Sequence, residues 1–340
     1  MSWIAPRADL LGPLGLSQIN SCGWHRVVYT KIWTTGDTAN PACEGDGMPH
    51  FASYDDTAIW FEVTGTGRPL VVLPGGPGMD IRYLADLGGL DRRRQLVLVD
   101  ARAAGRSAVP ADRRTVSFVE QARDLEALRT HLGLDRFDLL AHSAGCLTAQ
   151  EYLAAFPGRV RRAVLVAPVG RVGREPDEAE LAALRASRSA EPWYRNAAEA
   201  DRLLAKGGWS GAELADLQRQ ILPFFWHRWT EERRSEHRPE HATALPWLRA
   251  AFYAGAASAE ARGQRVARLA SARTPVLVLA GAADGMIGTA PARAVAECHP
   301  DSRLEIMHKS GHRPWVEEPE RFTAVVTGFL GEDPAAAPGR

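Results

Sequence analysis

The sequence predicts an α/β fold, a mostly parallel sheet covered by helices on both faces. Three observations carry that expectation. From residue 57 onward, short apolar runs such as Leu70-Val71-Val72-Leu73 and Gln95-Leu96-Val97-Leu98-Val99 alternate with longer amphipathic runs. The short runs lack the in-out alternation of a half-exposed strand, so they belong in a sheet buried on both faces. Several of them also end on Gly, Pro, Ser or Asp, at the carboxyl edge where such sheets hold ligands.

Taken in order, 57–63 reads as a strand, 70–73 as a short buried strand and 95–99 as another. Phe118, Ala122, Leu125, Leu128 and Leu132 recur at three- and four-residue intervals and make 117–132 a helix. Residues 136–141 form a strand, 144–156 a helix and 163–167 a strand. After a break come a strand at 275–280, a helix at 290–298, a strand at 303–307 and a closing helix at 319–330. The break, 170–272, is rich in Ala, Arg, Glu and Trp and holds no convincing strand. It is too long for a loop in a compact domain, so it is expected to be a helical cap inserted between two strands. The core is then 51–169 together with 273–332, and the Pro/Ala/Gly-rich tail 333–340 is expected to be disordered.

Residues 1–50 differ from the rest. They show no sustained periodicity and are interrupted by Gly, Pro, Asn and Thr. Two readings stand side by side. Met48 is the natural start, or the segment is an arm anchored by Trp3, Trp24, Val27, Val28, Ile32 and Trp33.

Composition narrows the class. The chain has 340 residues, 45% hydrophobic and 24% charged, values of a globular protein able to bury a core without staples. Its 41 basic residues equal its 41 acidic ones, which gives no support for a nucleic-acid surface. No apolar run reaches the roughly 18 residues a membrane span needs, and the first residues lack a basic-then-apolar signal pattern. The four cysteines, Cys22, Cys43, Cys146 and Cys298, are far apart and form no CxxC, so a reducing, cytoplasmic setting is expected.

Four short stretches can carry chemistry. In Ala141-His142-Ser143-Ala144-Gly145 an apolar run stops at a serine flanked by small residues, with a helix to follow. A sharp strand-to-helix turn needs little bulk on either side of the serine, and the helix N-terminus favours developing negative charge. A capping serine would look similar. Leu73-Pro74-Gly75-Gly76-Pro77-Gly78 follows a buried strand and can point backbone N–H groups at an oxyanion, with Gly76 favoured over Gly75 as partner to Ala144. Asp284, in Gly281-Ala282-Ala283-Asp284-Gly285, and His312, in Ser310-Gly311-His312-Arg313-Pro314, each follow a strand. Singly they are a turn residue and a loop histidine. Together, Ser143, Asp284 and His312 appear in the order associated with α/β hydrolases, nucleophile, acid and base.

With PGGPG, then Asp100-Ala101-Arg102-Ala103-Ala104-Gly105-Arg106-Ser107, AHSAG, GAAD and SGH, the chain resembles the proline iminopeptidase branch of the α/β-hydrolase superfamily over about residues 55–168 and 273–330. The resemblance implies an eight-stranded sheet, a helical cap and no metal or organic cofactor, with Asp100 and Arg102 supporting the site. The departures are Pro74 where the family has His, Asp-Ala-Arg-Ala for DQRG, and Ala141 and Cys146 where the elbow has glycine. They mark a divergent member whose substrate need not be a peptide. An iminopeptidase neutralises a free amine with cap glutamates near a Trp-x-x-Trp-Glu segment. Here Trp226-His227-Arg228-Trp229-Thr230-Glu231-Glu232 matches it only with a one-residue displacement. Phe224, Phe225, Trp226 and Trp229 can line an apolar pocket or simply pack the cap. Arg233 and Arg234 make Glu231 and Glu232 a solvated charged face.

The expected function is a cofactor-independent serine hydrolase acting through an acyl-enzyme on a small molecule or short peptide. Ser143, Asp284 and His312 are the triad, Gly76 and Ala144 the oxyanion hole, and Gly75, His142, Phe225, Trp226 and Trp229 candidate substrate contacts. Iminopeptidase action is the reading nearest the family, with an esterase, lactonase, thioesterase or acyl-transfer enzyme as the alternative. A ligand-binding protein on a hydrolase scaffold, or an interaction protein using residues 1–47 to dock, stands as a reading of another class. Cys146 is read as a small buried residue, and His227, His237 and His241 lack the regular spacing of a metal site.

Overall fold

The computed structural model describes residues 49–170, 178–254 and 258–331. The expectations for the N-terminal segment through Met48 and for the tail lie outside these residues.

Eight strands form one sheet: β1 (His50–Ala52), β2 (Ala58–Thr64), β3 (Pro69–Leu73), β4 (Gln95–Val99), β5 (Phe137–His142), β6 (Val160–Val166), β7 (Val276–Gly281) and β8 (Ser302–Met307). Their order across the sheet is β1-β2-β4-β3-β5-β6-β7-β8. β1 and β2 run antiparallel to their neighbours and the remainder are parallel. The sequence missed β1, since three residues on a sheet edge carry too little pattern to read. The strand expected at 163–167 begins earlier, at Val160. Arg161 and Arg162 read as loop, yet they lie along the strand and send their head groups to Asp138 and to the Leu330 carbonyl.

The all-apolar strands still alternate, face by face. Val71, Val97, Leu139, Leu165 and Val278 enter one core cluster with Phe118, Leu125, Leu147 and Tyr152. Leu70, Val72, Leu96, Leu98, Leu140, Val164 and Leu279 enter the other with Leu84, Leu90, Phe322 and Val326. Residues two apart share a face, so both faces must be apolar when both carry helices. Burying one such leucine or valine stabilises the fold by about 1.5–3 kcal/mol. The first face is covered by α1 (Phe118–His131) and α2 (Gly145–Ala155), the second by the closing helix at Pro319–Leu330. Ser117 accepts the Glu120 N–H and starts α1 where its apolar periodicity begins.

Between β6 and β7 the described residues contain helices and no strand. They include Glu178–Ala186, Tyr194–Lys206, Gly211–Gln220, Glu231–Ser235, Leu248–Tyr253 and Ala259–Ser271. A short 3-10 turn, Leu222–Phe225, brings this segment against the carboxyl edge of the sheet. Among the described residues no helix is long and apolar enough to cross a membrane.

Candidate active site

β5 ends at His142, and the next residue, Ser143, has φ +52. That left-handed conformation costs a non-glycine residue energy, and the surroundings must impose it. They do so by leaving almost no space. A Cβ on Gly145 would lie 2.3 Å from the Pro74 carbonyl oxygen, and one on Gly75 would lie 2.9 Å from the Ser143 Cβ. The Ser143 N–H donates to the Val166 carbonyl at 2.8 Å, which fixes the turn to β6.

The serine hydroxyl lies 3.1 Å from Nε2 of His312, and Nδ1 of His312 lies 2.7 Å from Oδ2 of Asp284. The other oxygen of Asp284 accepts the Met286 and Ile287 N–H groups at 3.0 and 3.2 Å. Asp284 is fully buried, so its orientation is set by these bonds. The three side chains thus come together from the ends of β5, β7 and β8, far apart in the chain.

The glycine loop after β3 divides its donors. The Gly75 N–H donates to the Tyr83 hydroxyl at 2.6 Å. Among the described residues, the Gly76 and Ala144 N–H groups donate to no protein acceptor. Ala144 stands at the N-terminus of α2 without a side-chain cap, so the positive end of that helix is open toward Ser143.

Sequence reasoning missed Tyr83. Its hydroxyl accepts from Gly75 and lies 2.7 Å from Nδ1 of His142, while Nε2 of His142 lies 3.0 Å from the backbone carbonyl of His312. A carbonyl only accepts, so Nε2 carries the ring proton and Nδ1 accepts from Tyr83. Burial holds the His142 pKa well below the ordinary imidazole value, with the nearby His312 and Arg313 acting in the same direction. His142 is therefore a neutral strut from the glycine loop to the histidine loop, and both its ring nitrogens are engaged inside the protein. Nothing in the run Ile81-Arg82-Tyr83-Leu84 signals this role.

Glu317 was also invisible in the sequence. One carboxylate oxygen accepts the Gly311 and His227 N–H groups at 2.7 and 3.1 Å, the other the Arg228 N–H at 3.1 Å. The Phe225 carbonyl accepts the His312 N–H at 2.6 Å, and the Phe224 carbonyl accepts the Gly285 N–H at 2.8 Å. The segment around Phe225 is thereby hydrogen-bonded to the loops that carry Asp284 and His312.

Of the remaining candidates, Phe225 packs its ring edge-on against His312, with centroids 5.7 Å apart. Trp226 is buried beside Arg313 and Arg233. Trp229 lies under Arg234 instead. Glu231 and Glu232 have side chains 83% and 73% exposed and lie near Arg234 and Arg233, which leaves them outside the group around His312. Asp100, fully buried, accepts the Ile81 and Arg106 N–H groups, and Arg102 pairs with Asp55 and Asp124. Cys146 is buried behind the elbow, where desolvation pushes its thiol pKa up and away from reactivity. Among the described residues no three His, Cys, Asp or Glu side chains cluster as a metal site.

A serine on a strained turn, a carboxylate and an imidazole past the ends of β5, β7 and β8 are the arrangement of a hydrolase class. The chain belongs to the alpha/beta hydrolase fold family, whose model matches residues 68–319. It is 25% identical to the proline iminopeptidase of Heyndrickxia coagulans, over 79% of this chain and 93% of that one. Among solved structures, it is similar to the proline iminopeptidase of Mycobacterium smegmatis, with TM-score 0.63 and 21% identity over 83% of this chain and 97% of the other. A thermophilic esterase from Thermogutta terrifontis matches with TM-score 0.59 and 23% identity over 83% and 96%. The resemblance to the iminopeptidase branch is borne out, esterases share the fold, and the protein is a hydrolase.

Proposed function

We propose that this hydrolase works by acyl transfer through a covalent ester on Ser143. The observation that carries the reading is the hydrogen-bonded line from Asp284 through His312 to Ser143. His312 Nε2 takes the hydroxyl proton as Oγ bonds to the substrate carbonyl carbon. Asp284 holds Nδ1 as the donor and stabilises the imidazolium. Negative charge forms on the carbonyl oxygen, where the unengaged Gly76 and Ala144 N–H groups and the α2 N-terminus are the candidate donors. The tetrahedral adduct then expels the leaving group, which receives the proton from His312. Water adds to the acyl-enzyme with His312 again as base, and Ser143 regains its proton as the acid product leaves.

For the substrate, a small ester or a related activated acyl compound fits better than an N-terminal prolyl peptide. The displaced glutamates Glu231 and Glu232 face outward beside arginines and offer no ready amine site. Iminopeptidase action stays as the second reading because the curated relatives include proline iminopeptidases.

The test compares the wild type with Ser143→Ala on nitrophenyl esters, a prolyl anilide and the same anilide with its amine blocked. Ester turnover that falls about 10⁴-fold or more in the variant is the expected result. Turnover confined to the free prolyl anilide would replace the ester reading with the iminopeptidase one. Equal turnover by both proteins would remove Ser143 as the nucleophile.

A further inference from the structure

Among the described residues, a cation beside this site has no counter-ion. Arg313 follows His312 directly, and among the described residues its guanidinium makes no ion pair and no hydrogen bond. Among the described residues the fully buried arginines are paired: Arg94 with Asp138, Arg102 with Asp55 and Asp124, Arg265 with Glu151. Arg313 instead rests on two ring faces, with Cζ 4.7 Å from the Tyr83 centroid and 5.6 Å from that of Trp226. Ring faces return only part of what a cation loses on leaving water.

The surroundings offer this charge little compensation. Burial draws the Arg313 pKa down, with the Tyr83 hydroxyl and Glu236 pulling weakly the other way. Glu236 lies 3.9 Å from Arg233, and His142, His237 and His241, which also feel Arg313, bring no negative charge. The half-buried Arg313 side chain is still reachable, since none of its nitrogens is among the sealed, unpartnered ones.

Its position ties it to the reaction. Tyr83 holds the Gly75 N–H with the hydroxyl of the ring on which Arg313 lies. Trp226 follows Phe225, whose carbonyl takes the His312 N–H. The cation therefore sits at the seam between the glycine loop, the histidine loop and the helical segment over them.

We propose that Arg313 is the anion-recognition residue of this site and that the substrate is an acyl compound bearing a carboxylate. The planar fork of Arg313 takes the carboxylate while the scissile carbonyl meets Ser143. A protonated free amine would meet a like charge here and be repelled, which separates this substrate class from an iminopeptidase's. The inference rests on the reading of Ser143 as the nucleophile.

The test measures kcat/KM for neutral and anionic ester pairs of matched shape. On the acyl side the pair is nitrophenyl hexanoate and the nitrophenyl monoester of adipate. On the leaving-group side it is the butyryl esters of para-hydroxybenzamide and para-hydroxybenzoate. Wild type is expected to favour the anionic member of one pair, and the pair that responds tells which side of the scissile bond carries the charge. The anionic-to-neutral ratio is expected to fall about tenfold or more in Arg313→Gln and less in Arg313→Lys, which keeps the charge and loses the fork. Should the glutamine variant fail to fold, the lysine variant carries the same comparison. A wild-type ratio of one or below in both pairs, or a ratio unchanged in the variants, overturns the assignment. Ser143→Ala is run alongside. Turnover surviving in it sinks the nucleophile reading and this inference with it, whereas a Ser143-dependent reaction without anionic preference sinks the role of Arg313 alone.

Discussion

Gly281 and Gly311 touch backbone to backbone: a Cβ on Gly281 would lie 2.0 Å from the Gly311 carbonyl oxygen. This contact joins the end of β7, which leads to Asp284, to the loop that carries His312. Any side chain at 281 must push the two loops apart. Gly281→Ala is expected to destabilise the fold by about 1–3 kcal/mol through overpacking. The accompanying shift between Asp284 and His312 should lower kcat by about 100-fold. Thermal melting and ester kinetics check the two effects, and an alanine variant with wild-type kcat would show that the contact does not set the acid–base geometry.

Removing one oxygen from Tyr83 should cost more than its size suggests. Tyr83→Phe strands both the Gly75 N–H and Nδ1 of His142, each left without its present partner. Stranded buried polar groups cost about 1–3 kcal/mol, so the melting temperature should fall and kcat with it. The ring that supports Arg313 remains, so preference between anionic and neutral esters should persist. Loss of that preference in Tyr83→Phe would indicate that the hydroxyl, not the ring face, positions Arg313.

Glu317 is expected to act on the reaction through other groups. Its carboxylate accepts N–H groups from Gly311, His227 and Arg228, and Glu317→Gln would turn one acceptor into a donor. Hydrogen bonds to a charged partner are worth about 1.5–3 kcal/mol. Amide hydrogen exchange around residues 222–230 should quicken in the variant, with kcat falling more than KM rises. Unchanged exchange there would mean that the Phe224 and Phe225 carbonyl contacts hold this segment without Glu317.

Stability should decline on mild acidification. Burial lowers the His299 pKa to about 4 and that of His142 well below its ordinary value. Folded-state values below the unfolded ones mean that the unfolded chain takes up the extra protons. Stability is therefore full above about pH 6.5 and falls as pH drops toward 4. His299 alone accounts for up to about 3 kcal/mol of that loss. Melting temperatures measured from pH 7 to 5 should decrease, and His299→Gln should flatten the slope. A slope that His299→Gln leaves unaltered would place the pH dependence on other groups.

Much of the fold was legible in the chain because its strands are apolar on both faces and its turns sit at their carboxyl ends. A buried parallel strand cannot be written in polar residues, so Leu70–Leu73 and Gln95–Val99 declare themselves. The same logic exposed Ser143, Asp284 and His312, each just past such a strand. β1 was silent because three residues on an edge pay no comparable penalty for polarity.

By itself, then, the sequence determined the layered α/β architecture and the three residues that lie at its carboxyl edge. Burial is a local demand, written residue by residue in hydrophobicity and in the small side chains a strained turn requires. Only the tertiary structure decided that His142 is a neutral strut, that Tyr83 and Glu317 tie the loops together, that Glu231 and Glu232 face away, and that Arg313 rests on rings without an ion pair among the described residues. Those outcomes depend on which atoms lie within about 3 Å of each other across more than a hundred residues, and hydrogen bonds and ion pairs at that range leave no periodic mark on the chain.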